Sequence, residues 1–157
     1  LAFDPGAAET HRNYAFLLIL MRNYDRARTE FETAARLKPS RSQARLDLAQ
    51  LEQAAGRPDA AAGQYRLALQ LSPDFAEAHY GLGKLLVAQG KVDDGITALR
   101  AAVRANPQYH EAHLALGVLL LRGPSSAEAR AHLEQAASGS ADPGIRQLAA
   151  KALASIP

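Results

Sequence analysis

Apolar positions recur along the chain with a helical spacing, and evenly placed prolines interrupt them. The same interval separates Pro5 from Pro39, Pro39 from Pro73, and Pro73 from Pro107. A proline ends a helix because it has no amide hydrogen and clashes with the preceding turn. Within each interval, residues at the fourth, seventh, eighth and eleventh positions fall on one helical face. The pattern therefore predicts a helical unit that repeats along the chain at the interval of the prolines.

Alignment on the prolines gives four repeats, at residues 8–41, 42–75, 76–109 and 110–143. Each repeat predicts a helix A, a short turn and a helix B. The twentieth, twenty-fourth and twenty-seventh positions are small, large and small: Ala27, Phe31 and Ala34; Ala61, Tyr65 and Ala68; Gly95, Leu99 and Ala102; Ala129, Leu133 and Ala136. Small residues let two helices approach closely, and large residues fill the space between them.

The turns between the helices have their own signals. Gly56-Arg57-Pro58 and Gly90-Lys91-Val92 place a glycine after helix A, where a left-handed residue ends the helix. Gly123-Pro124 and Arg22-Asn23-Tyr24 occupy the corresponding places in the other repeats. Gly83 and Gly117, inside helix A, are predicted to allow close packing.

Together these positions resemble the tetratricopeptide repeat. The resemblance implies an all-α fold, a right-handed α-solenoid of antiparallel helix pairs, with residues 1–157 forming a single domain. Two features differ from the family pattern. The fourth position carries His11, Arg45, His79 and His113, and Glu52 stands where the other repeats have an apolar residue. These departures affect the expected local packing.

The two ends of the chain give different expectations. Residues 1–7 read like the end of a helix B, which predicts the tail of an upstream repeat. At the other end, Pro143 comes two residues later than the period requires. The apolar stripe that follows predicts a capping helix over residues 144–157, because solenoid ends need a cover. A truncated fifth repeat is the alternative.

Composition narrows the classes of function. Apolar residues make up 48% of the chain and charged residues 22%, with a net charge of +2, as in a folded soluble protein. No basic cluster predicts nucleic-acid binding, and no apolar run is long enough to insert into a membrane. The absence of cysteine leaves both the cytoplasm and the periplasm open. The preference for arginine over lysine, with abundant alanine, indicates a bacterial source.

Candidate chemistry is sparse. His110 and His113, with Glu111, have a spacing that metal ligands use. However, His113 occupies the same repeat position as His11 and His79, which favours a packing role for it. His132 has no evident ligand partner. The stretch from Gly81 to Lys84 lacks the spacing of a phosphate loop. We expect no metal, no cofactor and no catalytic activity.

The face of helix A opposite the packing positions is more apolar than an idle surface requires. In the family that the chain resembles, this face lines a concave groove that binds a peptide or a helix. The candidate groove residues are Arg12, Asn13, Phe16, Leu46, Asp47, Gln50, Glu77, Tyr80, Lys84, Val87, Leu114 and Val118. The alternative is a tightly closed superhelix in which these side chains bury one another.

The sequence thus predicts a non-catalytic interaction scaffold that holds a segment of a partner protein. The Lys and Asn clamp of chaperone-tail-binding family members is missing, which favours an amphipathic helix or extended segment. Two alternatives remain. One is self-assembly. The other is a docking or regulatory segment of a larger enzyme, such as a glycosyltransferase, or of a bacterial envelope secretion or polysaccharide-export machine.

Overall fold

The structure of the protein is a computed structural model, which describes residues 5–37, 40–121 and 126–156. Every regular element in these ranges is an α-helix, so the all-α fold class is confirmed. The helices are α1 (Pro5–Leu20), α2 (Tyr24–Leu37), α3 (Arg41–Ala54), α4 (Pro58–Leu71), α5 (Ala76–Ala88), α6 (Val92–Ala105), α7 (His110–Leu120), α8 (Ser126–Gly139) and α9 (Pro143–Leu153). None of them is both long enough and apolar enough to cross a membrane.

The chain forms two compact units, Leu1–Ala78 and His79–Pro157. In the first unit, α1 pairs with α2 and α3 with α4, and α2 also packs on α3. In the second unit, α7 pairs with α8, and α6 packs on α7. Each predicted repeat therefore corresponds to two consecutive helices.

The repeat positions that always carry a small or a large residue form the cores of the hairpins. The large residues at the twenty-fourth position are all buried, as are the small residues at the eighth, twentieth and twenty-seventh positions. Phe31 packs in one cluster with Ala15, Leu18, Ala27 and Leu51. The alternation of small and large side chains has the packing role that the sequence predicts.

Two glycines, each in the first helix of its hairpin, are required because the second helix lies too close for a side chain. A Cβ atom on Gly83 would lie 2.9 Å from Cγ of Leu99, and one on Gly117 would lie 2.7 Å from Cγ of Leu133. Both distances are too short for a real carbon contact, so a side chain at either position would force the facing leucine or its helix to shift. The predicted packing role of these glycines is confirmed.

Three turns end helix A in the same way. Arg22, Gly56 and Gly90 have φ values of 60°, 73° and 80°. After each of them, an amide donates to the carbonyl five residues earlier, in Asn23 to Leu18, Arg57 to Glu52 and Lys91 to Leu86. This is the Schellman pattern of a helix C-terminus. Arg22 adopts the left-handed conformation without being glycine. The fourth turn, Gly123-Pro124, lies outside the described residues.

Helix α9 covers the last hairpin. Asp142 caps it by accepting a hydrogen bond from the amide of Gly144 at 2.7 Å, and Pro143 is its first residue. Ile145 and Ala149 are buried against Ala136 of α8. The predicted capping helix is confirmed, with its start at Pro143. Of residues 1–7, which were predicted to be the tail of an upstream repeat, residues 1–4 lie outside the described residues and residues 5–7 belong to the first turn of α1.

Candidate partner-binding site

The twelve candidate groove residues lie on the first helix of each hairpin, and we call them the first-helix surface. Seven belong to the first unit: Arg12, Asn13, Phe16, Leu46, Asp47, Gln50 and Glu77. Five belong to the second unit: Tyr80, Lys84, Val87, Leu114 and Val118.

Arg12 and Asp47 form the polar part of the surface in the first unit. The Arg12 guanidinium donates to both carboxylate oxygens of Asp47, at 2.8 and 2.9 Å. Gln43 adds a third hydrogen bond to the same carboxylate, at 2.9 Å. Asp47 is only 2% exposed. Its charge is therefore stabilised inside the protein by Arg12 and Gln43, whereas a third of the Arg12 side chain remains accessible.

Two other residues of this group are less open than a surface role requires. Leu46 is buried, so it belongs to the packed interior of the first unit. Phe16 is half-buried and meets the ring of Phe31 edge-on, with centroids 5.1 Å apart. The sequence pattern identifies the helix face, but it does not tell how deeply the neighbouring helices cover each position.

A cleft of about 250 Å³ opens beside the Arg12–Asp47 pair. Helices α1, α2 and α3 border it, and small residues such as Ala8, Ala35 and Ala44 leave the space free. Glu9 and Gln43 contribute polar groups to the same wall. The cleft can therefore receive a small side chain and meet it with both donors and acceptors.

The corresponding surface of the second unit is aromatic and apolar. The rings of Tyr80 and Tyr109 are 4.9 Å apart, and the Lys84 ammonium lies 5.0 Å from the centre of the Tyr80 ring. Val118 is exposed, and Leu114 is half-buried against the cluster that includes Ala136 and Ile145. This combination of an aromatic ring, a cation and an exposed aliphatic side chain suits a segment with both apolar and acidic residues.

Glu52, which replaces the apolar residue found at this position in the other repeats, forms ion pairs with two arginines. Its carboxylate accepts hydrogen bonds from Arg28 of α2 and from Arg57 in the turn before α4. Burial raises the pKa of Glu52, but the two arginines outweigh burial and hold the pKa below its ordinary value. In the sequence, this cluster is indicated by a charged residue at a repeat position that is otherwise apolar. The arginines lie at the positions that face it.

The histidine column packs inside the hairpins by a repeated contact. The fourth position meets the residue 19 places later, in the second helix. His11 Nδ1 lies 2.6 Å from Glu30, Arg45 donates to Gln64 at 3.2 Å, and His113 Nδ1 lies 2.9 Å from His132 Nδ1. The packing interpretation of His113 is therefore the one that the geometry supports. Across residues 5–37, 40–121 and 126–156, no group of three or more histidines and acidic residues is placed to hold a metal ion.

Comparison with known families identifies the repeat. A family model described as a tetratricopeptide repeat matches residues 80–144, and a second, described as a TPR repeat, matches residues 51–90. Together the two matches span more than half of the chain. No curated protein sequence matches it significantly.

Solved structures give the same fold. A thermophilic TPR protein of Thermus thermophilus is similar with a TM-score of 0.73 and 24% identity, covering 95% of this chain and 82% of its own. A mutant O-GlcNAc transferase of Thermobaculum terrenum has a TM-score of 0.67 and 28% identity, covering 87% of this chain but 27% of its own. YrrB, described as a TPR protein with an unusual peptide-binding site, has a TM-score of 0.65 and 21% identity, covering 94% of this chain and 76% of its own.

Proposed function

Because this chain belongs to the tetratricopeptide repeat family, whose fold builds protein-interaction scaffolds, we propose that it binds a segment of a partner protein on its first-helix surface. The proposed activity is binding without catalysis. The observation that carries the proposal is the apolar area left on this face of the second unit, where Val118 is exposed and Tyr80 and Val87 are only half-buried. An idle helix face would carry mostly charged residues at these positions.

The chemistry of the face defines the kind of segment. In the second unit, Tyr80 and Val118 offer apolar area, and Lys84 offers a positive charge beside the Tyr80 ring. In the first unit, the cleft beside Arg12 accepts a small side chain. An amphipathic helix or extended segment with acidic residues beside its apolar ones fits both descriptions. The structure of YrrB, described as having a peptide-binding site, supports peptide binding as a use of this fold.

The test starts from a random library of displayed peptides, selected on the immobilised chain. A selected peptide is then titrated calorimetrically against the unchanged chain and against Lys84→Glu and Val118→Asp. Both residues are exposed, so these changes leave the core intact. We expect each to weaken binding by about tenfold or more, since interface centres tolerate charge changes poorly.

The matched control is Leu71→Asp, at an exposed apolar residue of α4, the second helix of its hairpin. It should leave the affinity unchanged. The proposal is wrong if Lys84→Glu and Val118→Asp bind the selected peptide as tightly as the control does while their helical circular dichroism is unaltered.

A second candidate function is docking within a larger enzyme. It is favoured by the O-GlcNAc transferase of Thermobaculum terrenum, where the similar region is 27% of that chain. Under this proposal the same surface recruits a substrate or regulator to a catalytic domain in the same polypeptide. Reading the coding sequence beyond both ends of the chain tests it. An open reading frame with no further domain would contradict it.

A further inference from the structure

The cleft beside the Arg12–Asp47 pair combines small apolar side chains with polar ones. Four alanines line it: Ala8 of α1, Ala34 and Ala35 of α2, and Ala44 of α3. The polar part of the lining consists of Glu9, Arg12, Ser40, Gln43 and Asp47. The space of about 250 Å³ therefore offers contacts both to an alkyl chain and to a polar group.

The charges that line the cleft favour a cation. Its charged residues are Glu9, Arg12 and Asp47, so two carboxylates accompany one guanidinium and their net charge is −1. Arg12 already directs Nε and Nη2 at Asp47, which weakens its attraction for a further anion. An acidic ligand would approach two like charges, whereas a cationic ligand would complement the excess carboxylate.

The hydrogen bonds around Asp47 leave acceptors open. Oδ1 of Asp47 accepts from Arg12 Nη2 and from Gln43 Nε2, whereas Oδ2 accepts, among the described residues, from Arg12 Nε alone. A carboxylate oxygen can accept roughly two hydrogen bonds, so Oδ2 has room for another donor. Gln43 uses its amide nitrogen in this contact, which leaves its amide oxygen as a further acceptor. The cleft therefore offers separate acceptors, and these suit a group with several N–H donors.

The second unit has different residues at the equivalent positions. Tyr80 occupies the repeat position of Arg12, and Ala115 occupies that of Asp47. Both pack against the apolar cluster of Leu99 and Leu116, and the Tyr80 ring also contacts the ring of Tyr109. Consecutive hairpins can therefore stack without an ion pair at these positions, and the charged cleft is a feature of the first unit's own sequence.

We propose that the cleft of the first unit binds a lysine side chain of the partner segment. This inference rests on the proposed function and names the side chain that the first unit selects. The methylene groups of the lysine lie against the alanines, and its ammonium donates to Asp47 Oδ2, to the Gln43 amide oxygen and to Glu9. A methylene chain is no wider than the small side chains that the cleft admits, and lysine places its charge at the end of such a chain.

Arginine fits the same acceptors less well. Its guanidinium is a planar fork that pairs with both oxygens of one carboxylate. Both oxygens of Asp47 already face such a fork, that of Arg12. An ammonium carries three donors that turn toward separate acceptors, so the cleft should prefer lysine to arginine.

The test titrates single side chains against the whole chain. The probe is Nα-acetyl-lysine methylamide at neutral pH, and the amide chemical shifts of the chain are followed by NMR. We expect saturable shifts around the cleft, including those of Ala35 and Ala44, with a dissociation constant of about 1–10 mM, because one side chain makes few contacts. The norleucine analogue has the alkyl chain without the ammonium and should give no saturable shift. The arginine analogue should bind about fivefold or more weakly than the lysine probe.

Two substitutions locate the binding. Glu9→Lys reverses the charge of an exposed residue at the second position of the first repeat, and it should weaken binding of the lysine probe by about tenfold or more. The matched control, Glu77→Lys, makes the same change at an exposed residue in the second position of the third repeat, outside the cleft, and should leave the affinity unchanged. The inference is overturned if no saturable shift appears up to about 50 mM probe. It is also overturned if the norleucine or arginine analogue binds as tightly as lysine, or if Glu9→Lys and Glu77→Lys bind the probe equally.

A free amino terminus is the competing source of an ammonium group. Glycine methylamide carries that group without the alkyl chain, and an affinity equal to that of the lysine probe would assign the cleft to an amino terminus and overturn the inference. These titrations report on the first unit, whereas Lys84→Glu and Val118→Asp act on the second. Failure of the lysine site and failure of the proposed function are therefore distinguishable.

Discussion

The two units join their consecutive repeats with different chemistry. In the first unit, the contact between α2 and α3 includes the buried carboxylate of Glu52, which Arg28 and Arg57 hold. We call this the charged junction. In the second unit, the contact between α6 and α7 is made by Leu99, Leu116 and Leu120 with partly buried neighbours. We call this the apolar junction.

The difference lies in two pairs of equivalent repeat positions. Glu52 and Leu120 both occupy the eleventh position of a repeat, and Arg28 and Ile96 both occupy the twenty-first. Where the first helix carries a carboxylate, the facing helix carries an arginine, and where it carries leucine, the facing helix carries isoleucine. The same pair of repeat positions therefore holds an ion pair in one unit and an apolar pair in the other.

The largest expected effect comes from moving one member of the charged pair into the apolar junction. Leu120→Glu places a carboxylate at a position that is 5% exposed and faces Ile96 instead of an arginine. An unpaired buried charge should lower the free energy of unfolding by about 3–5 kcal/mol. Denaturant unfolding followed by circular dichroism measures the loss.

The control for this variant restores the missing partner. Ile96→Arg combined with Leu120→Glu rebuilds the arrangement of Arg28 and Glu52 and should recover part of the lost stability. A double-mutant cycle separates the coupling between the two positions from their individual effects. If Leu120→Glu destabilised the chain equally with and without Ile96→Arg, the two positions would not form the ion pair that Arg28 and Glu52 form.

A smaller effect is expected from removing the charged pair. Glu52→Ala leaves a cavity and two arginines without their acceptor, and we expect it to cost about 2–3 kcal/mol. Glu52→Leu combined with Arg28→Ile should stay within about 1 kcal/mol of the unchanged chain, because a buried ion pair and a well-packed apolar pair are often equivalent. The salt dependence of the unfolding midpoint should also weaken in this double variant. A loss for the double variant as large as that for Glu52→Ala would show that the junctions are not interchangeable.

The sequence predicted the features that repeat. The spacing of the prolines fixed the hairpins, and small residues such as Ala27 and Gly117 identified where helices approach each other. These features are local and periodic, so one chain contains four copies of the evidence for them.

Other features depend on contacts that the repeat pattern does not reveal. Glu52 breaks the pattern of apolar residues at its repeat position, and only the positions of Arg28 and Arg57 explain how its charge is accommodated. Leu46 and Asp47 lie on the predicted face of α3, yet both are buried, because exposure depends on how closely neighbouring helices cover that face. The pairing of the fourth position with a residue 19 places later could have been found by comparing the repeats, as His113 and His132 have the same spacing as His11 and Glu30.

That last pairing also differs between the units, and it gives the smallest expected effect. In the first unit His11 faces the carboxylate of Glu30, which accepts a hydrogen bond from either the neutral or the protonated imidazole. In the second unit His113 Nδ1 faces His132 Nδ1, so one ring must donate and the other must accept. Two protonated rings in this position would repel each other.

The charged groups around the pair favour its neutral form. Burial lowers the pKa of His113, and the facing His132 and nearby His110 lower it further, against the raising effect of a hydrogen bond to the carbonyl of Pro107. Burial also lowers the pKa of His132, with Arg100 adding to the decrease and Glu128, 3.9 Å away, opposing it. Both rings therefore bind protons less readily in the folded state than in the unfolded one.

This difference predicts that mild acid weakens the second unit. Above the ordinary histidine pKa of 6.5 both rings are neutral in the folded and unfolded chains, and their contribution to stability is complete. As the pH falls from there through the lowered pKa values of the folded state, the unfolded chain binds more protons, so the free energy of unfolding decreases. Hydrogen exchange measured across this pH range should show α7 and α8 losing protection before α1 and α2. His132→Glu gives the second unit the histidine–carboxylate pair of the first and should abolish the difference. If the two units of the unchanged chain were equally sensitive to acid, or if the difference persisted in His132→Glu, the acid response would not come from the His113–His132 pair.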